Sequence, residues 1–105
     1  MQKFIIYLGL NDKDTKAQKV SSIDAANIVN NMVASLFGGG TVSGAHGIYT
    51  HDDGTVVVEE TLRIELVDFA GYGREAVVSF CQQLKSVFNQ EFVVLQTEQI
   101  NSDLV

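Results

Sequence analysis

Two long alternating runs meet at His51-Asp52-Asp53-Gly54, and that junction constrains the fold more than any other feature. An Asp-Gly pair between alternating segments is a strong hairpin signal, because its backbone twist suits antiparallel strands. Val42 to Thr50 forms one arm and Thr55 to Asp68 the other. In the longer arm Val56, Val58, Leu62, Ile64 and Leu66 share one face, and Val57, Glu59, Thr61, Arg63, Glu65 and Val67 share the opposite one. Glu60 interrupts the apolar face and marks either a bulge or the sheet's end.

A strand and a helix flank this hairpin on each side. Residues 3–10 alternate as a first strand, with Phe4, Ile6, Leu8 and Leu10 on one face. After a polar connection from Asn11, Ser21 caps a helix with Asp24 three residues on, a loose capping box. That helix runs to about Phe37 on a stripe of Ala25, Val29, Met32, Val33 and Leu36, and Gly38-Gly39-Gly40 ends it. Beyond the hairpin, Val77, Phe80, Cys81, Leu84 and Val87 predict a second helix over about Arg74 to Phe88. Glu91 to Gln99 reads as a last strand.

The order is β-α-β-β-α-β, and right-handed crossovers place both helices on one face of an antiparallel sheet. The expected fold class is therefore α+β, ferredoxin-like, in a single domain over residues 1–100 with a tail at 101–105. At 105 residues there is room for one core and no second domain. The uncovered sheet face must meet water, a ligand or a partner. Its occupants are Ile5, Tyr7, Val57, Glu59, Thr61, Arg63 and Glu65, plus one set from the last strand. That set is either Phe92, Val94 and Gln96 or Val93, Leu95 and Thr97.

The net charge of −6 and a pI near 4.6 argue against nucleic acid as a partner, since phosphate binders need a basic face. Residues 1–20 hold four lysines against two aspartates, while residues 51–105 hold ten acids against Arg63, Arg74 and Lys85. Cys81 is the lone cysteine, so neither an internal disulfide nor a multi-cysteine metal site can form. The segment MQKFIIYLGL lacks the parts of a signal peptide and no stretch has the length of a membrane span. The expectation is a cytoplasmic protein, with no membrane partner and no cofactor.

Chemistry-bearing residues are densest over His46, Tyr49, His51, Asp52, Asp53, Glu59 and Glu60. Histidines and carboxylates can hold a metal or form an acid–base pair. However, His46 and His51 differ by an odd number and would face opposite ways on one strand, while His51 to Asp53 are ordinary turn formers, so no metal site is expected. Glu59 and Arg63 share a strand face with Thr61 between them, and Tyr7 joins from a neighbouring strand. They form either a polar ligand contact or a solvated charge pair. Gly38 to Gly44 follows a helix and leads into a strand, the reverse of a phosphate loop. Gly71-Tyr72-Gly73-Arg74 opens a helix but is a single short glycine pair. Asp12, Asp14 and Thr15 resemble the start of a calcium loop without its glycine or terminal glutamate. Cys81 falls in a buried stripe as an apolar filler.

Tyr7, Gly9 and Leu10, then Tyr49, Asp53-Gly54, Glu59 and Thr61, then Phe88, Gln90 and Glu91 form a spaced set. In that set the chain resembles a family of small bacterial proteins known only as a domain of unknown function. The resemblance implies the same fold and points to Tyr49, Glu59, Gln90 and Glu91 as site residues, without supplying a reaction. Many such relatives carry an export signal that this chain lacks, and the arginine expected before Glu59 is Val58 here.

Candidate ligand-binding residues are thus Tyr7, Tyr49, Glu59, Thr61, Arg63, Gln90 and Glu91, with none assigned as catalytic. The leading expectation is a non-catalytic, self-associating module that binds a small ligand or regulates, and forms a homo-oligomer through the open sheet face. The alternatives are a small-molecule enzyme with Glu59 as general base beside Tyr7, Tyr49 or His46, or an acidic decoy of the kind mobile elements encode.

Overall fold

The computed structural model describes residues 1–105 and has the expected element order. The elements are β1 (Gln2–Gly9), α1 (Ser22–Phe37), β2 (Thr41–Thr50), β3 (Val56–Val67), α2 (Gly73–Val87) and β4 (Val94–Gln99). All strand pairs are antiparallel, in the order β2-β3-β1-β4, so the two central strands come from different halves of the chain. The fold is the α+β, ferredoxin-like arrangement.

Alternation on the central strands sets the core. Phe4, Ile6 and Leu8 of β1 and Leu62, Ile64 and Leu66 of β3 point to one face, where Ala25, Val29 and Val33 of α1 and Val77, Phe80, Cys81 and Leu84 of α2 cover them. Each large side chain so buried contributes roughly 1.5–3 kcal/mol of transfer free energy. Ser21 caps α1, its Oγ accepting the Asp24 N–H at 3.1 Å. Gly38 ends the helix at φ 79°, a left-handed value that glycine takes without a Cβ penalty.

Two stripe positions differ from expectation. Leu36 is 47% exposed and Val87 is 52% exposed. Each stripe closes instead on a residue four places beyond its last buried member. Phe37 follows Val33 and packs on Tyr72 and Phe80, with ring centroids 4.7 and 5.3 Å away. Phe88 follows Leu84 and is buried. The last strand begins at Val94, not Glu91, because its pairing with β1 stops at Tyr7↔Val94. That register also puts Val94 and Gln96 on the open face, while Val93 and Leu95 pack against the core.

No bulge occurs at Glu60; the β2–β3 register runs unbroken from Thr41↔Glu65 to Thr50↔Val56. Glu60 lies where β3 outruns β1, whose last pair is Gly9↔Thr61, so the sheet ends there as a layer and the hairpin continues as a projecting arm. Along the arm the former core face carries exposed Ile48, Val56 and Val58.

Candidate functional site

Glu59 is the first β3 residue on the open face beyond the reach of β1, and both neighbouring strands present glycine to it. Gly47 lies directly opposite on β2, and Gly9 ends β1 one register step away. A Cβ built on Gly9 would fall 2.6 Å from the Glu59 Oε1, and one on Gly47 would fall 2.8 Å from the Thr61 Oγ1. The carboxylate therefore lies across the end of β1, in space that only glycine leaves open. The Asn11 N–H donates to Glu59 Oε2 at 3.0 Å and fixes its orientation. Thr61 is buried beside it and donates to the Glu59 main-chain oxygen at 3.3 Å.

Loops from opposite ends of the chain wall this floor. Gln90, just after α2, donates its side-chain amide to the Asn11 carbonyl at 2.7 Å and to the Phe88 carbonyl at 3.1 Å. Both amide hydrogens are thus engaged, and only the acceptor Oε1 remains for a ligand. Glu91 and exposed Phe92 follow, in the stretch expected as strand. On the other side Asn11, Asp12, Lys13 and Lys16 close the wall. Tyr7 and Val94 line the floor towards β4, and Tyr49 stands on the arm with its ring edge-on to His51, 5.3 Å between centroids. The cleft measures about 660 Å³.

Of the seven candidate residues, Tyr7, Tyr49, Glu59, Thr61, Gln90 and Glu91 meet in this cleft. Arg63 does not line it. Its guanidinium binds Glu65 at 2.6 Å, and Glu65 in turn meets Lys3 at 3.0 Å. Glu65 first and Tyr7 second favour the charged guanidinium, while Lys3 and then Arg63 hold the Glu65 carboxyl below its ordinary range. The pairing of Glu59 with Arg63 is accordingly absent. His46 turns to Glu60 at 3.2 Å on an exposed edge. Asp53 does what its turn position expects, accepting the Thr55 N–H at 2.8 Å, a bond that lowers its pKa. No three His, Cys, Asp or Glu side chains come together as a metal-holding group. Cys81 is buried in the core, and burial pushes its thiol up and away from the thiolate.

Gly47, Asn11 and Asn89 belong to the site's construction yet escape the sequence reading, which named Gly9 only within the family resemblance. The signal for the glycines was present, since a glycine inside a strand marks a close approach. Asp12 was read only as part of an incomplete calcium-loop start in a polar connection. Its burial comes from the loop's contact with Asn89, which sequence spacing does not reveal.

No protein-family model matches the chain, and no curated protein matches it either. Among solved structures it is similar to a phage SAM lyase in complex with S-methyl-5'-thioadenosine. The TM-score is 0.67 at 21% identity, over 93% of this chain and 80% of that one. It is likewise similar to a phage SAM lyase in the apo state, with a TM-score of 0.62 at 22% identity, over 92% of this chain and 78% of that one. At that identity the likeness shows the shared fold. It also corrects the leading functional expectation. These neighbours are enzymes, one of them holding a small nucleoside, and one end of the face assigned to a non-catalytic module is here a walled cleft. The small-molecule enzyme, held above as an alternative, fits these findings better. No helix is long and apolar enough to cross a membrane.

Proposed function

We propose that this chain is an enzyme acting on S-adenosylmethionine, breaking the bond from the sulfonium sulfur to the amino-acid arm and releasing S-methyl-5'-thioadenosine. The carrying observation is a fixed, half-buried carboxylate among aromatic rings in a nucleoside-sized cleft, on a fold shared with a ligand-bound phage SAM lyase. Adenine has flat faces for Tyr7, Tyr49 or Phe92, contacts worth about 1–3 kcal/mol per base in other base-binding sites. Glu59 and Glu91 supply negative charge for the sulfonium and the α-ammonium, and Gln90 supplies an acceptor.

The step balances without water. The electron pair of the carbon–sulfur bond stays on sulfur and leaves a neutral thioether. The carbon it leaves is satisfied by the substrate's own carboxylate, which closes a five-membered lactone. Holding the arm folded for that closure is a proximity effect and needs no protein base. Glu59 acts by charge. Because the sulfonium's charge fades as the bond breaks, a carboxylate beneath it stabilises the bound substrate more than the transition state.

Incubation of the protein with S-adenosylmethionine, followed by chromatography and mass spectrometry, should yield S-methyl-5'-thioadenosine and a co-product one water lighter than the hydrolysis product. Glu59→Gln should raise KM roughly tenfold or more, the scale of 1.4 kcal/mol, with a smaller change in kcat. Absence of turnover, together with no binding of S-adenosylmethionine or the thioether by calorimetry, would sink the reading.

A further inference from the structure

The β1–α1 loop and the α2–β4 loop are joined by a cluster of hydrogen bonds next to the cleft. Asp12 is buried, and a buried carboxylate needs partners. Its Oδ1 accepts from the Asp14 N–H and the Thr15 N–H, each at 2.9 Å, and from the Thr15 hydroxyl at 3.3 Å. Its Oδ2 accepts from Asn89 Nδ2 at 2.8 Å and lies 3.6 Å from Lys19 Nζ. Asn89 Nδ2 also donates to Asp14 Oδ2 at 2.9 Å, and the Asn89 carbonyl accepts the Lys13 N–H at 3.0 Å. Asn89 takes a left-handed backbone, φ 47°, which asparagine tolerates better than most residues.

Between these bonds and the cleft floor stands one residue. The Asn11 N–H holds Glu59 and the Asn11 carbonyl holds Gln90. Asn11 is the immediate neighbour of Asp12, and Gln90 of Asn89, so displacement of the cluster moves both site residues. We propose that Asp12 and Asn89 are positioning residues for this cleft: the hydrogen bonds between their loops set the Asn11 main chain where it orients Glu59 and Gln90. As a statement about ligand binding this rests on the S-adenosylmethionine reading above. The Asn89 and then the Thr15 bonds keep the Asp12 carboxyl well below the usual carboxylate range, consistent with a permanently charged clamp.

Asn89→Gly tests the idea cleanly, because glycine keeps the left-handed backbone while the side-chain bonds are lost. The variant should bind S-adenosylmethionine about tenfold more weakly, as expected for losing a charge-assisted contact. In a Glu59→Gln background the same change should cost clearly less, since the part of its effect that runs through Glu59 is already lost; a fully additive loss would mean a merely structural role and overturn the proposal. A readout without ligand keeps the two readings apart. Amide exchange at Asn11 should quicken roughly tenfold in Asn89→Gly while central β1 and β3 amides stay protected. Unchanged exchange at Asn11 and unchanged Gln90 side-chain resonances would overturn the proposal. Should the unaltered protein fail to bind S-adenosylmethionine, the lyase reading falls and the amide measurement still decides the positioning. Asp12→Ala is the second variant, expected to alter the same Asn11 and Gln90 signals; no change there would count against the proposal equally.

Discussion

Glycine inside a strand ordinarily weakens it, having no side chain to pack and more backbone freedom to lose. Gly9 has no left-handed φ that would demand glycine, so its value lies in the volume it leaves to Glu59. Gly9→Ala should therefore separate stability from binding. Thermal unfolding should stay level or rise slightly, because alanine restricts the unfolded chain more. Affinity for S-adenosylmethionine should fall about tenfold as the new methyl pushes the carboxylate off its seat. Paired melting curves and calorimetry check this, and retained affinity would show that the carboxylate does not need that position. At this scale Tyr7, Tyr49, Glu59, Thr61, Gln90 and Glu91, named as ligand-binding candidates (Tyr49, Gln90 and Glu91 through the family resemblance), come together in one cleft. The sequence misplaced Arg63 because residues two and four apart on a strand share a face without sharing a partner. Glu65, two places on, is nearer the guanidinium than Glu59 is.

Elements were legible wherever period and punctuation agreed. Both helices, the Asp-Gly turn and the antiparallel order follow from local signals that also match the long-range packing. The misses fall at ends. Leu36 and Val87 look apolar and in phase, yet Phe37 and Phe88 fill the closing slots, and spacing alone does not rank i+3 against i+4. Glu91 to Val93 have strand-like composition, but the pairing with β1 stops at Tyr7↔Val94 although β1 runs on to Gly9, so they remain a loop, of which Glu91 and Phe92 wall the cleft. The Ser21 cap on α1 was readable, although only the Ser21 half of the expected capping box forms. Ser21→Ala should lower stability by about 1 kcal/mol, with a melting shift of roughly 4–8 °C for a domain of this size and no change in ligand affinity. A coupled loss of affinity would mean that α1 orders the cleft in a way the hydrogen bonds do not indicate.

For the whole molecule, charge is the property that sequence reports best and composition alone interprets least. A net charge of −6 argues against phosphate binders but leaves open what the acidity serves. The cationic sulfonium substrate proposed above would give it a use, since the field of an acidic body concentrates cations near the surface. Affinity for S-adenosylmethionine should weaken several-fold between about 0.01 M and 1 M salt, as the screening length drops from roughly 30 to 3 Å. Affinity for the uncharged thioether should barely move. Equal salt dependence for both ligands, measured by titration calorimetry, would remove charge from the account of recognition.

The cleft joins parts of the chain that are far apart in order of synthesis. Asn11 and Gln90 are separated by 79 positions, and the floor is closed towards β4 by Val94, in the last strand. Synthesis of this polypeptide thus passes through β1, both helices and the hairpin before the pocket can be complete. On the lyase reading, a chain still lacking β4 has an incomplete cleft, and activity begins only when β4 has zipped onto β1.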